Sequence, residues 1–292
     1  MDKRRPPLFW AGWGVLGVLA AAAVFAPLLA PYDPRLPTAT PLTLPTRAHP
    51  LGTNDIGQDL LSQLLYAART SLIVAVSVAM ISTGLSWLVG LAAGMVRWLE
   101  APLMALSDLL LALPNIPLYL LVVTLVGPSR RNLILVLALL SWPAFARVVR
   151  SVVLQTRSAS YIEATRALGA TDAHIVRRHL LPATLDVLPT KLTLTVRFAI
   201  FAEATLAFLG LGDSASVSWG TMLSYAFNEP LLFNRAVWPW LILPPTAAIM
   251  ALILATTWIS SGFERLPEPS RRRLHPSPGI DAPQRELVGG GK

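Results

Sequence analysis

Long apolar runs separated by short polar segments dominate the chain. Six of these runs are long enough to cross the roughly 30 Å hydrocarbon core of a bilayer as helices. They cover residues 8–30, 71–96, 103–126, 132–149, 188–211 and 236–263. Only 14% of the residues are charged and the mean hydropathy is +0.57, which excludes an ordinary soluble domain. The pattern therefore predicts an all-α, polytopic membrane protein with six transmembrane helices.

The connection between the first two runs is rich in proline and threonine, and we expect an extended outer loop over residues 32–50. Residues 53–55 then offer a helix N-cap, and the apolar positions that follow recur on one helical face. These positions are Ile56, Leu60, Leu61, Leu64, Leu65 and Ala68. They predict a helix that starts at residues 53–55, lies in the outer interface of the membrane and leads into the second run. We expect His49 to be a solvated loop histidine.

One polar stretch, residues 163–184, separates the fourth run from the fifth and has a pattern of its own. Residues 161–168 are mostly good helix formers, and Gly169 can supply the positive φ that ends a helix. Thr171 or Asp172 can cap a second short helix, which we expect to stop before Pro182. Apolar side chains alternate with arginines here, as expected of two short helices that dock into a cleft on another protein. A basic loop lying on anionic lipid of the inner leaflet is the alternative.

The spacing in this stretch resembles the cytoplasmic coupling loop of importer-type ABC permeases. That family has Glu-Ala-Ala, three residues, Gly, nine residues, and Ile-x-Leu-Pro. This chain departs from it at Thr165 and His179, and Arg-His-x-Leu-Pro at residues 178–182 is similar to the peptide and nickel branch. The resemblance implies an ATPase-coupling role for Glu163, Ala164, Gly169, Ala170, Leu181 and Pro182.

The resemblance extends beyond the polar stretch. Residues 203–212 are similar to the family signature Glu-x-x-Leu-x-Phe-Leu-Gly-Leu-Gly, and residues 218–220 match its Ser-Trp-Gly element. Residues 49–72 look like the region that precedes the second span of dipeptide and oligopeptide permeases. The similarity therefore covers nearly the whole chain, from the first run to Gly220.

The distribution of basic residues predicts the orientation in the membrane. With six spans, both termini and residues 163–184 lie on one side. Sixteen Lys and Arg residues fall on that side and six on the other, although Arg130 and Arg131 oppose the trend. Because basic residues accumulate in cytoplasmic loops, we expect the termini and the polar stretch to be cytoplasmic.

Polar residues inside the runs are candidates for the transport pathway, because an ionisable group in the bilayer is costly. Asp108 and Arg197 fall at similar depth in the third and fifth runs, and we predict that they pair with each other. Asn115 lies between two prolines that free backbone carbonyls for a cavity or a neighbouring helix. Glu203 is also a candidate, although its place near the outer end favours a structural role.

Other classes of protein fit the sequence less well. The chain has no Gly-x-x-x-x-Gly-Lys-Ser/Thr loop to hold ATP phosphates, and no cysteine. All four histidines lie outside the runs, which disfavours a membrane-embedded metal-dependent or serine protease. A passive channel would leave the spaced polar motif unexplained. The basic residues show no aromatic interleaving, so nucleic acid is not an expected partner.

The resemblance implies the importer-type ABC permease fold, with cytoplasmic coupling helices, in a bacterial inner membrane. Residues 1–70 would form the N-terminal tail, first span and periplasmic segment, 71–265 the core with a coupling loop at 150–187, and 266–292 a disordered cytoplasmic tail. The implied assembly adds a second homologous permease, two ATP-binding subunits that hold ATP and Mg²⁺, and an extracytoplasmic substrate-binding protein. This chain would hold no cofactor or metal and would not be an enzyme. The implied cargo is a dipeptide or oligopeptide, with nickel or another metal chelate as the alternative.

Overall fold

The computed structural model describes residues 6–213, 215–230 and 237–264. These residues form thirteen α-helices and two π-helical turns. Their only strand-like features are two isolated bridges, which join Pro37 to Gln58 and Thr53 to Asp59. The helices are α1 (Pro7–Val24), α2 (Ala26–Leu29), α3 (Leu60–Met95), α4 (Arg97–Ala112), α5 (Asn115–Val126), α6 (Arg130–Leu140), α7 (Pro143–Arg157), α8 (Ser160–Ala167), α9 (Asp172–Ile175), α10 (Leu181–Leu185), α11 (Leu188–Leu206), α12 (Trp219–Asn228) and α13 (Trp238–Glu264). The π-helical turns are Val176–Leu180 and Ala207–Leu211.

Five helical stretches of the described chain are long and apolar enough to cross a membrane. They are Pro7–Val24, Leu60–Met95, Arg130–Arg157, Asp172–Leu211 and Trp238–Phe263. A sixth crossing exists if α4 and α5 are one broken span. The predicted all-α architecture is therefore confirmed. The predicted tail over residues 266–292 lies outside the described residues, and the domain division stays a prediction, with its boundary at residue 70 falling inside the continuous helix α3.

The third predicted span is not one straight helix. Helices α4 and α5 meet at a bend of 95°. Leu113 takes an extended conformation, with φ −88° and ψ 140°, because the ring of Pro114 disfavours helical angles in the residue before it. Helix α4 is thereby turned away from the direction of α5.

Helix α3 is the centre of the bundle and packs against α1, α4, α6, α7 and α11. Its crossing with α7 uses glycines, since a Cβ added to Gly90 would lie 2.6 Å from the carbonyl oxygen of Ala146. A Cβ at Gly94 would lie 2.7 Å from a methyl carbon of Val153. Small residues that let two backbones approach closely are a common basis of helix association in membranes. The α3–α7 contact is therefore a close crossing at which residues larger than glycine would clash.

The connection between α2 and α3, residues 30–59, differs from its prediction. Helix α3 begins at Leu60 rather than at residues 53–55, because Asp59 provides the N-cap, its carboxylate accepting a hydrogen bond from the backbone N–H of Ser62. His49 is only 7% exposed, stacks on Tyr32 with ring centroids 4.8 Å apart, and places Nδ1 3.0 Å from Oδ1 of Asp59. The expectation of a solvated histidine was therefore wrong.

Candidate functional site

Helices α8 to α10, residues 160–185, form the short helical pair predicted from the polar stretch; we call them the α8–α10 segment. Gly169 has a φ of +88° and ends the turn after α8, as predicted. Thr171 is the N-cap of α9, because its hydroxyl oxygen accepts a hydrogen bond from the backbone N–H of His174 at 3.3 Å. The predicted glycine turn is confirmed, and of the two predicted caps, Thr171 and Asp172, the structure uses Thr171.

The second short helix does not stop before Pro182. It continues through the π-helical turn Val176–Leu180 into α10, which ends at Leu185. The helix is continuous at Pro182, which cannot donate the backbone hydrogen bond that this position would make. A π-helical turn inserts one residue into the hydrogen-bond register, and here it comes directly before the helical turn that contains the proline.

One face of the α8–α10 segment is anchored to the bundle. Ile162 is fully buried and Ile175 is 2% exposed. Together with Leu180 they pack into a cluster with Leu91 of α3 and with valines of α7. Because these contacts bury apolar surface, the segment is held against α3 and α7.

The opposite face of the segment is open. Leu168 is 89% exposed beside the Gly169 turn, which is unusual for a large apolar side chain at the tip of a helix pair. The predicted coupling residues Glu163, Ala164, Gly169 and Pro182 are exposed, whereas Ala170 and Leu181 are half-buried.

Charged groups surround this open face. Arg166 and Asp172 form an ion pair across the glycine turn, with Nη2 and Oδ1 3.2 Å apart. His174, Arg177 and Arg178 are exposed along the second helix of the pair and line a shared depression. The segment thus presents an apolar tip with a basic flank, which suits a partner protein.

The predicted pairing of Asp108 with Arg197 was wrong. Asp108 forms an ion pair with Arg147 of α7, and Arg197 donates a hydrogen bond to the hydroxyl of Thr257 at 3.2 Å. The bend at Leu113 and Pro114 explains the error, because it brings α4 alongside α7. Helix α4 also contributes Glu100, which forms an ion pair with Arg150 of α7.

Glu203 lies at a helix junction. It is 3% exposed, and the hydroxyl of Ser71 donates to its carboxylate at 3.4 Å. The same hydroxyl oxygen accepts a hydrogen bond from the backbone N–H of Trp219 at 3.2 Å. Ser218 caps α12 in a reciprocal pair with Thr221. These residues tie α3, α11 and α12 together, which fits the structural role favoured for Glu203.

A cavity of about 320 Å³ lies among α5, α7 and α11. Asn115, a predicted pathway residue, lines it at the start of α5. Lys191 of α11 also lines it and is not among the pathway residues predicted from the sequence. The available signal was a lysine inside a run that begins at residue 188.

The bundle and its exposed helix pair define a polytopic transport permease, and comparison with known proteins identifies its family. The chain belongs to the family of binding-protein-dependent transport system inner membrane components, whose model matches residues 82–268. Residues 4–50 match the N-terminal transmembrane domain of oligopeptide transport permease C. The predicted ABC importer permease is therefore confirmed, and the chain is a multi-pass inner membrane protein.

Curated relatives cover most of the chain. A Brucella suis biovar 1 protein, provisionally named a peptide permease, is 34% identical over 264 residues, which are 89% of this chain and 86% of that protein. A second Brucella suis protein, provisionally named a peptide transport system permease, is 34% identical over 86% of each chain. The dipeptide transport system permease protein DppC of Bacillus subtilis is 33% identical over 92% of this chain and 84% of its own length.

Proposed function

We propose that the chain forms half of the translocation pathway of a peptide importer. The names of its relatives support peptides as the cargo. In this assembly the chain pairs with a second homologous permease, two ATP-binding subunits hold ATP and Mg²⁺, and an extracytoplasmic binding protein delivers the substrate. The α8–α10 segment and both termini face the cytoplasm, as the distribution of basic residues supports.

The observation that carries this proposal is the two-sided construction of the α8–α10 segment. Its open face offers Leu168 and the basic flank to an ATP-binding subunit. On its buried face, Ile162 and Ile175 pack against the α3–α7 crossing. Movement of the ATP-binding subunits on closure is thereby transmitted to the two helices that cross at Gly90 and Gly94, and the pathway changes access.

The first test uses the turn at Gly169. A valine there is strained at φ +88°, whereas asparagine tolerates the left-handed region. No atom outside the turn lies within 4 Å of a Cβ built at this position, so backbone strain is the expected effect. Gly169→Val should abolish the stimulation of ATPase activity by the loaded binding protein, measured on the reconstituted complex, and Gly169→Asn should retain most of it. Normal stimulation in Gly169→Val would contradict the coupling role.

The second test concerns orientation. The chain has no cysteine, so single cysteines can be placed at the exposed positions Thr40 and Gln155. A membrane-impermeant thiol reagent added to intact spheroplasts should label Thr40→Cys, and it should label Gln155→Cys only after the membrane is opened. The reverse pattern would place the α8–α10 segment outside the cell and exclude its contact with an ATPase.

A further inference from the structure

Lys191 is the charged residue among those that line the cavity between α5, α7 and α11. It is 9% exposed, and its Nζ lies 3.4 Å from the carbonyl oxygen of Ser141 and 5.3 Å from the centroid of the Phe145 ring. Neither Asp nor Glu lines the cavity, and in the described residues no carboxylate forms an ion pair with this amine. A buried ammonium with only a carbonyl and a ring beside it is costly unless a mobile anion completes its environment.

Two breaks between helices also border the cavity beside Lys191. Helix α5 begins at Asn115 and helix α7 begins at Pro143, and both residues line the same cavity. Neither helix start has a side-chain cap. Helices α4 and α6 end at the same two breaks, and their negative ends offset the positive ends of α5 and α7, so Lys191 is the source of positive charge in the cavity.

The remaining lining is mostly apolar and includes Tyr119, Phe145 and Phe198. A cavity of about 320 Å³ is at the small end of the range of ligand pockets. It combines one cationic position with apolar walls, and so suits a small molecule that has a carboxylate at one end and apolar groups beside it.

We propose that this cavity binds the C-terminal carboxylate of a peptide during its passage through the permease, with Lys191 as the residue that recognises the charge. Asn115 offers a side-chain amide to the same carboxylate. The inference rests on the proposed function, because it takes a peptide as the cargo.

A cysteine reporter measures the charge of the cavity without relying on transport. Ala144 is exposed on the cavity wall, and Ala144→Cys adds only a sulfur atom to a chain without cysteine. The full-length chain in native membranes, expressed with its partner subunits, is treated with methanethiosulfonate reagents that carry either a sulfonate or a trimethylammonium group. Each labelling rate is read on this chain and normalised to the rate of that reagent with a free small thiol.

The anionic reagent should react faster than the cationic one. Replacing the lysine in Lys191→Met should lower the anion-to-cation ratio roughly tenfold, because one nearby charge acts with opposite sign on the two reagents in a wet cavity. Lys191→Arg should preserve the ratio. Thr193→Val is the matched control on α11. Among the described residues, the Thr193 hydroxyl donates to carbonyl oxygens of its own helix, and Thr193 does not line the cavity.

Protection identifies the ligand. Excess dialanine should slow labelling of Ala144→Cys in the chain that retains Lys191, and the C-terminal amide of dialanine should not. Labelling with no charge preference, no labelling by either reagent, or equal protection by the acid and the amide would each overturn the inference. Uptake of dialanine by the unmodified complex is measured in parallel. Its absence would count against the proposed function, whereas uptake without protection would overturn only the carboxylate site.

Discussion

The α2–α3 connection, residues 30–59, is held in place by buried polar groups, whereas the α8–α10 segment is held by buried apolar ones. In the connection, Asp59 is fully buried and accepts hydrogen bonds from Ser62 at 2.7 and 2.8 Å beside His49. Thr53 is also fully buried, and its hydroxyl donates to the carbonyl oxygen of Thr40 at 2.8 Å. The buried face of the α8–α10 segment instead consists of Ile162, Ile175 and Leu180.

This difference distinguishes a rigid connection from a segment that is suited to the proposed coupling role. Hydrogen bonds are directional, so a satisfied buried network specifies one geometry. Apolar contacts are non-directional and allow packed helices to shift by small amounts without breaking a bond. The connection is thus suited to keep one surface shape. The α8–α10 segment is suited to follow a moving partner while it stays attached to α3 and α7.

The largest effect is expected from removing the buried carboxylate of Asp59. Asp59→Ala deletes the N-cap of α3 and leaves the buried groups of His49 and Ser62 without their acceptor. The free energy of unfolding should fall by roughly 3–5 kcal/mol, seen as a lower thermal midpoint of the purified protein in detergent. Asp33→Ala is the control, because the Asp33 carboxylate accepts from the N–H of Arg35 at an exposed turn. Equal effects of the two variants would show that the buried network does not hold the connection.

A matched pair of leucine and isoleucine variants tests the two faces of the α8–α10 segment. Ile162→Ala opens a cavity in a fully buried cluster and should lower the free energy of unfolding by roughly 2–4 kcal/mol. Leu168→Ala removes an 89% exposed side chain, so the thermal midpoint should not change. Leu168→Ala should nevertheless weaken binding of the ATP-binding subunits by roughly 1–2 kcal/mol, as truncation of an apolar interface anchor does. Co-purification and ATPase stimulation measure that loss, and unchanged binding would mean that the open face is not the docking surface.

Local chemistry made part of this construction predictable from the sequence. Gly169 acts on backbone groups within a few residues of itself, so its turn follows from residue type alone. The same local chemistry narrowed the cap of α9 to Thr171 or Asp172. The apolar runs are equally local, because crossing a bilayer depends on length and composition. These features account for the helix content, for the glycine turn of the α8–α10 segment, and for most of the spans.

The incorrect predictions depend on contacts between distant parts of the chain. Residues 53–55 do not start α3 because the fold uses them inside the connection, where the Thr53 hydroxyl donates to the carbonyl oxygen of Thr40, and Asp59 caps the helix instead. Asp108 meets Arg147 only because the chain bends at Pro114, and the angle of that bend is not encoded by any periodicity. Lys191 becomes a cavity residue through the placement of α5 and α7 around it. A single run of sequence does not reveal such neighbours.

The smallest effect is expected from the ion pair between Arg166 and Asp172 across the Gly169 turn. This pair is exposed, whereas the carboxylate of Asp59 in the connection is buried. The side chains of Arg166 and Asp172 are 52% and 87% exposed, so water and salt screen their attraction. Because Asp172 also begins α9, a single Asp172→Asn change mixes loss of the pair with loss of a favourable charge at a helix start. A double-mutant cycle with Arg166→Gln separates the two contributions. The interaction energy between them should be about 0.2–1 kcal/mol, measured from thermal midpoints at low salt, and it should shrink at high salt. An interaction energy above about 2 kcal/mol that persists in salt would mean that this pair is as strong as a buried one. Strong polar contacts would then hold the open face of the α8–α10 segment as well as the α2–α3 connection, and the two regions would not differ in the way described.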